Sequence, residues 1–156
     1  MKAVPVAFAT FALLAAPVAA RAQLCTASTT GLSFGTYDPF ASGAASITGG
    51  VTISCRAVIA LGVSYSVQLG AGASGNFAAR SMTNGITPLR YQLYTDAART
   101  VVWGDGTGGT SVVSDGFLLA ALTTVNRTYT AYGLVPARQS VSAGIYADVV
   151  TILVVY

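Results

Sequence analysis

Residues 89–106 read LRYQLYTDAARTVVWGDG. Tyr91 and Leu93 alternate with Arg90 and Gln92, the period of a strand with one buried and one wet face. Asp96-Ala97-Ala98-Arg99 predicts a tight connection into a neighbouring strand, and Gly104-Asp105-Gly106 predicts another turn. The same grammar extends in both directions. Val, Ile, Thr and Tyr dominate, Gly, Asn, Asp and Ser interrupt at short intervals, and no 3.6-residue apolar pattern lasts three turns. The predicted strands are Thr26–Gly35, Ala45–Arg56, Val63–Leu69, Leu89–Thr95, Thr100–Trp103, Gly109–Val113, Leu122–Leu134 and Ile145–Tyr156. Seven or eight short strands in one small domain predict an all-β chain folded as an immunoglobulin-like antiparallel β-sandwich.

The last of these strands departs from the rule. Val149, Thr151, Leu153 and Val155 point one way, and Val150, Ile152, Val154 and Tyr156 the other, so both faces are mostly apolar. A sandwich strand ordinarily keeps one polar face. Either this strand is covered on both sides, or another chain completes its surroundings. Val149, Val150, Ile152, Leu153, Val154 and Val155 are therefore candidates to line a strand-accepting groove, and the alternation leaves open which of the two sets faces it.

The N-terminus predicts the compartment. Lys2 supplies a charge, Ala7–Ala16 an apolar run, and Ala20-Arg21-Ala22 a small-x-small cleavage site, the three parts of a secretory leader. Residues 1–22 are thus predicted to be a signal peptide and residues 23–156 one mature domain. The apolar run is too short to cross a bilayer, which takes about 20 such residues, and later runs are broken by polar residues or Gly. An integral membrane protein is not expected. Without Lys2 and Arg21, six Arg face five Asp, a net charge of +1. Scattered Arg do not make the clustered basic surface that replaces counterions on phosphates, so no nucleic-acid partner is expected. Cys25 and Cys55 are the two cysteines of a chain bound for an oxidising compartment and are predicted to pair.

Motifs for chemistry are present in outline and lack their partners. Gly31-Leu32-Ser33-Phe34-Gly35 matches the G-x-S-x-G elbow of serine hydrolases. A hydroxyl nucleophile needs a base, and the chain holds no His and, beyond the leader, no Lys. Gly70-Ala71-Gly72-Ala73-Ser74-Gly75 matches G-x-G-x-x-G, but no helical pattern follows it to receive a pyrophosphate. Five Asp and no Glu supply the carboxylates. Asp105-Gly106 and Asp115-Gly116 read as turns, ahead of a metal site at Asp105. Asn126-Arg127-Thr128 fits a glycosylation acceptor but falls inside a predicted strand. Trp103 and the tyrosines read as core and hairpin packing ahead of a sugar platform. No catalytic residue, cofactor or metal is expected.

Taken in order, Phe34-Gly35-x-Tyr37-Asp38-Pro39, Cys55, Leu89-x-Tyr91-x-Leu93-Tyr94-x-Asp96, Trp103-Gly104-Asp105-Gly106, Tyr132-Gly133 and Tyr146-x-Asp148-x-Val150 resemble the spore coat protein U domain, shared with subunits of archaic chaperone-usher pili. The resemblance covers essentially all of residues 23–156. It implies an incomplete immunoglobulin-like sandwich whose groove is filled first by a periplasmic chaperone and then, after an outer-membrane usher, by the donor strand of another pilus subunit. The implied function is a structural subunit of an exported surface fibre or coat, built by donor-strand complementation and serving adhesion and biofilm formation. An adhesin domain at a fibre tip, binding a surface or a glycan, is the alternative, with Asp115–Ala120 as its candidate apolar loop. Only Gln23 and Leu24 precede Cys25 after the predicted cleavage, so the mature chain is expected to receive a strand and not to give one.

Overall fold

The computed structural model describes residues 23–57 and 59–156, so the predicted leader lies outside the described residues. Its strands are β1 (Gln23–Thr29), β2 (Ala45–Ala57), β3 (Leu61–Leu69), β4 (Ser81–Thr83), β5 (Pro88–Arg90), β6 (Gln92–Tyr94), β7 (Val113–Leu119), β8 (Thr124–Val135) and β9 (Ile152–Val155), with one turn of 3-10 helix at Phe77–Ala79. One sheet has the order β1-β2-β8-β6 and a second the order β7-β3-β9, while β4 and β5 pair as a hairpin. Every ladder is antiparallel. Val51, Ile53 and Cys55 of β2 and Val63, Tyr65, Val67 and Leu69 of β3 alternate into the core between the sheets. This is the expected all-β antiparallel sandwich.

Several boundaries differ from those predicted. The first strand stops at Thr29, because Gly31 takes a φ of +70° and turns the chain out of the ladder. The run at 89–95 divides at Tyr91: β5 pairs with β4, whereas β6 pairs with β8. Thr100–Trp103 reduces to two bridges, Val102 with Tyr94 and Trp103 with Ser111. Gly108 and Gly109 both have positive φ, so the expected strand at 109–113 is a turn. The strand begins instead at Val113 and runs through Asp115-Gly116, which was expected to turn. There Gly116 faces Ser64 at a separation that leaves a Cβ only 3.1 Å from the Val63 carbonyl oxygen.

Trp103 is fully buried and donates from Nε1 to the Val67 carbonyl at 3.0 Å, tying the two sheets together at the core's centre. Cys25 and Cys55 stand directly opposite in the β1/β2 ladder and are joined. The bond closes about 30 residues, a span worth roughly 3–4 kcal/mol in the chain-entropy account. Cys55→Ser is expected to lower the urea midpoint by an amount equivalent to 2–5 kcal/mol, about the range for loss of a native disulfide. An unchanged midpoint in the exported protein would count against a structural role.

A second tie between sheets is polar. Tyr129 on β8 donates to Asp115 on β7 at 2.6 Å, which leaves the Tyr65 hydroxyl of β3 to donate to Tyr129 at 2.7 Å. The Tyr129 hydrogen bond holds the Asp115 carboxyl below the usual carboxylate range. A carboxyl depressed on folding stabilises above its unfolded pKa of about 3.9, and that contribution is lost as pH falls through the lower folded value. Tyr129→Phe is therefore expected to shrink the acid-dependent part of the stability curve below about pH 4, as read from urea midpoints across pH.

Candidate functional site

Between the two sheets one side of the sandwich is open. Its first wall is the segment after β1. Thr30 donates to the Gly50 carbonyl and Gly31 turns back on the Thr29 hydroxyl, but from Leu32 to Thr36 the backbone pairs with no strand among the described residues. Leu32 and Phe34 point inward from this wall. Two glycines make room for them: a Cβ on Gly49 would lie 3.0 Å from Leu32 Cγ, and one on Gly133 would lie 2.8 Å from the Phe34 ring. The facing wall is the C-terminal segment. Ala147 exchanges backbone bonds with Thr83, Thr151 accepts from Gly70, and β9 pairs with β3. Since β9 ends its sheet, its outer edge is unpaired among the described residues.

The floor between these walls is apolar. An upper cavity of about 410 Å³ is lined by Val51, Leu69, Leu93, Ala131, Val150 and Ile152, among others. A lower, wider one of about 790 Å³ adjoins it, with Leu89, Val135, Val141 and Tyr146 in its lining. Leu32, Phe34, Met82 and Tyr146 border both, so the two make one continuous groove. One polar group is set in the wall. Asp148 accepts from the Tyr91 hydroxyl at 2.6 Å and from the Ala73 backbone at 2.8 Å, bracing the C-terminal segment against the opposite sheet. Burial, with Asp148 next, raises the Tyr91 pKa well above its ordinary value, so the phenol keeps its proton.

The candidate residues read from the sequence fall into two groups. Val150 and Ile152 line the upper cavity, and Val154 packs against the core on the same face. Val149 touches the rim of that cavity but is 83% exposed. Leu153 and Val155 point away from the groove into the outer surface of the sheet. A row of unpaired backbone groups beside an apolar trough is what an added extended chain requires: the edge supplies hydrogen bonds and the cavities take alternate side chains.

The catalytic outlines take other forms. Ser33 lies exposed on an extended segment between inward Leu32 and Phe34, with no helix after it. In the glycine-rich loop, Gly72 has a φ of +72° and its Cα faces the Asp148 carboxylate so closely that no Cβ fits. That loop therefore cradles a carboxylate of this chain. Three of the other Asp serve local bonds, Asp38 to Phe40, Asp96 to Thr100 and Val101, and Asp105 to Thr107, and Asp115 accepts from Tyr129 across the two sheets. Sequence reading passed over Arg80, which is fully buried and donates to the Gly70 and Trp103 carbonyls, each at 2.7 Å, and to Gln92. Burial draws its pKa below the ordinary value, opposed by Tyr91 and Asp148.

Comparison with known proteins agrees with this architecture. A family model described as the Spore Coat Protein U domain matches residues 9–153. Protein U of Myxococcus xanthus is 33% identical over 136 residues, covering 80% of this chain and 71% of that protein. Among solved structures, a chain of the CsuC-CsuE chaperone-tip adhesion subunit pre-assembly complex, from the archaic chaperone-usher Csu pili of Acinetobacter baumannii, superposes with a TM-score of 0.57 at 22% identity. The match covers 86% of this chain and 40% of that one, and at this identity the likeness is one of fold. Among the described residues no helix is long and apolar enough to cross a membrane.

Proposed function

The chain belongs to the spore coat protein U domain family, and from that premise we propose that it is a strand-accepting structural subunit of an exported surface fibre or coat. The observation that carries the reading is the groove between Leu32–Thr36 and Tyr146–Ile152, apolar along its floor and bordered by the unpaired edge of β9. Donor-strand complementation by β-augmentation would fill it. In this reading residues 1–22 direct export, a periplasmic chaperone holds the groove until assembly at an outer-membrane usher, and a strand from another subunit replaces it. Adhesion and biofilm formation would follow from the fibre's place at the cell surface. Catalysis has no part in it, since the chain has no His and each of its five Asp is engaged in structural hydrogen bonds.

The test is to express the full chain with and without a chaperone encoded beside it. A one-to-one complex with the chaperone, and aggregation or loss of the chain without it, is the expected result. Urea midpoints are read in that complex, and a soluble monomer with the same midpoint without any partner would overturn the reading. The tip-adhesin alternative keeps one observation in its favour, the exposure of Leu118 within the segment 115–120.

A further inference from the structure

The groove takes up one side of the sandwich, and the opposite side also presents strand edges. β7 ends its sheet there, so its outer edge is unpaired among the described residues. On the facing sheet β6 covers β8 only at positions 132–134, which leaves residues 124–131 without a neighbouring strand on that side. Gly50 accepts from the Thr30 amide and so faces β1. Opposed residues of an antiparallel pair alternate between exchanging two hydrogen bonds and none. Thr130, opposite Gly50, therefore turns its amide away from β2, as do Thr128 and Asn126 in the same phase. Such edges are templates for an added strand.

What lies between the edges separates this side from the groove. The inward phase of the C-terminal segment is apolar, with Val150, Ile152 and Val154 packed against the core. On β7 the inward phase holds Val113, Asp115, Phe117 and Leu119, and on β8 it holds Val125, Arg127, Tyr129 and Ala131. Each edge thus directs one charge inward, and the two meet. Arg127 Nε lies 3.7 Å from Asp115 Oδ2, and its guanidinium lies 5.3 Å from the centre of the Phe117 ring. Tyr129 donates to the same carboxylate oxygen across the gap. The Asp115 and Arg127 side chains are 30% and 48% exposed, wet enough to stay charged and placed where a strand added to either edge would cover them. Covering them strips water from both charges, a cost that their attraction offsets only where the geometry is excellent. Inward-pointing charge is one of the devices by which natural sheets refuse edge-to-edge pairing.

We propose that Asp115 and Arg127 shut this second side, so that the chain accepts a strand in the groove and nowhere else. They determine specificity by exclusion, making the wrong site costly where the groove makes the right one favourable. A single acceptor per chain keeps an assembly unbranched. The groove's part in that assembly rests on the function proposed above; the closure of the β7/β8 side does not.

Asp115→Asn combined with Arg127→Val tests it. The asparagine keeps an acceptor for Tyr129, so the tie between the sheets survives while both charges go. Sedimentation velocity is run on the exported chain, with its chaperone where it captures one. The neutral pair is expected to associate at concentrations at least about tenfold below any at which the unaltered chain does. Hydrogen exchange in the associated form is expected to slow at residues 113–119 or 124–131. Arg127→Val alone, at a half-exposed position, is expected to give a smaller gain of the same sign, and it carries the test if the pair does not fold. Arg127→Glu sets a like charge beside Asp115 and is expected to lower the urea midpoint without association, which separates an opened edge from a loosened fold. The proposal is overturned if neither neutralised variant associates more than the unaltered chain, if the slowed amides lie at 31–36 or 146–156 instead, or if Arg127→Glu associates as strongly as the neutral pair. The groove reading fails separately: a chain that captures no chaperone loses its proposed function, while the gain in association on neutralising this side would still show that the charges close it.

Discussion

Val150→Asp combined with Ile152→Asp is expected to lower capture of the chaperone by a hundredfold or more, while Leu153→Asp combined with Val155→Asp leaves capture within a fewfold of the unaltered chain. The four positions are neighbours in sequence and differ in where they point. Val150 and Ile152 line the upper cavity, and Leu153 and Val155 face outward from the edge of the β7-β3-β9 sheet. Burying a large aliphatic side chain against an incoming strand contributes about 1.5–3 kcal/mol. Losing two such contacts removes at least about 3 kcal/mol, roughly a hundredfold in affinity, before the cost of burying a carboxylate is added. Charge on the outer pair instead blunts an exposed edge, which natural sheets do to suppress edge-to-edge association. Val150→Thr, nearly isosteric, separates capture from folding. Weaker capture with an unchanged urea midpoint is expected for it, and equal capture by the inner-pair and outer-pair variants would show that the groove is not where the strand binds.

The architecture was legible where the period of the side chains decided it. Tyr91 and Leu93 are buried between flanking residues that are not, as their alternation required. The pairing of Cys25 with Cys55 followed from compartment and count. Boundaries set by backbone conformation at single residues were not legible. Gly31 and Gly35 could as easily have sat inside a strand with a bulge, and only the positive φ of Gly31 ends β1 early. Asp115-Gly116 has the composition of a turn. It lies within β7 because Asp115 has a distant partner in Tyr129 and Gly116 allows the strand to approach Val63 closely.

The groove was half legible for a related reason. Two-sided apolarity in residues 149–156 signalled that something must cover this strand, but a period-2 pattern with both phases apolar cannot say which phase is inward. The register does: Ile152 pairs with Leu69 and Val154 with Val67, both core residues of β3. The opposite wall carried no such signal. Leu32 and Phe34 become groove residues only because Gly49 and Gly133, 17 and 99 positions further along the chain, leave space for them. Matches of that kind depend on which strands become neighbours, and no local pattern encodes them.

Arg80→Met is expected to destabilise the domain by about 2–4 kcal/mol and to weaken strand capture as well. The side chain keeps much of its volume in this variant, so the loss measures hydrogen bonding more than packing. Arg80 donates from Nε and Nη2 to the Gly70 carbonyl, from Nη2 to that of Trp103 and from Nη1 to Gln92 Oε1, and its guanidinium lies 5.2 Å from the centre of the Phe77 ring. A buried acceptor left without a donor costs about 1–3 kcal/mol, and the carbonyls of Gly70 and Trp103 both lose the Arg80 donor, which sets the expected loss. Arg80→Lys is expected to recover little, since an ammonium cannot present the planar fork that reaches both carbonyls at once. The effect on capture follows from what Gly70 does next. Its amide donates at 2.8 Å to the Thr151 carbonyl, between Val150 and Ile152. Arg80 thus holds the residue that holds the groove wall. If Arg80→Met shifted the urea midpoint as expected but bound the chaperone with unchanged affinity, the arginine would stabilise the core without positioning the groove; an unshifted midpoint would mean that water or a side-chain movement replaces its donors.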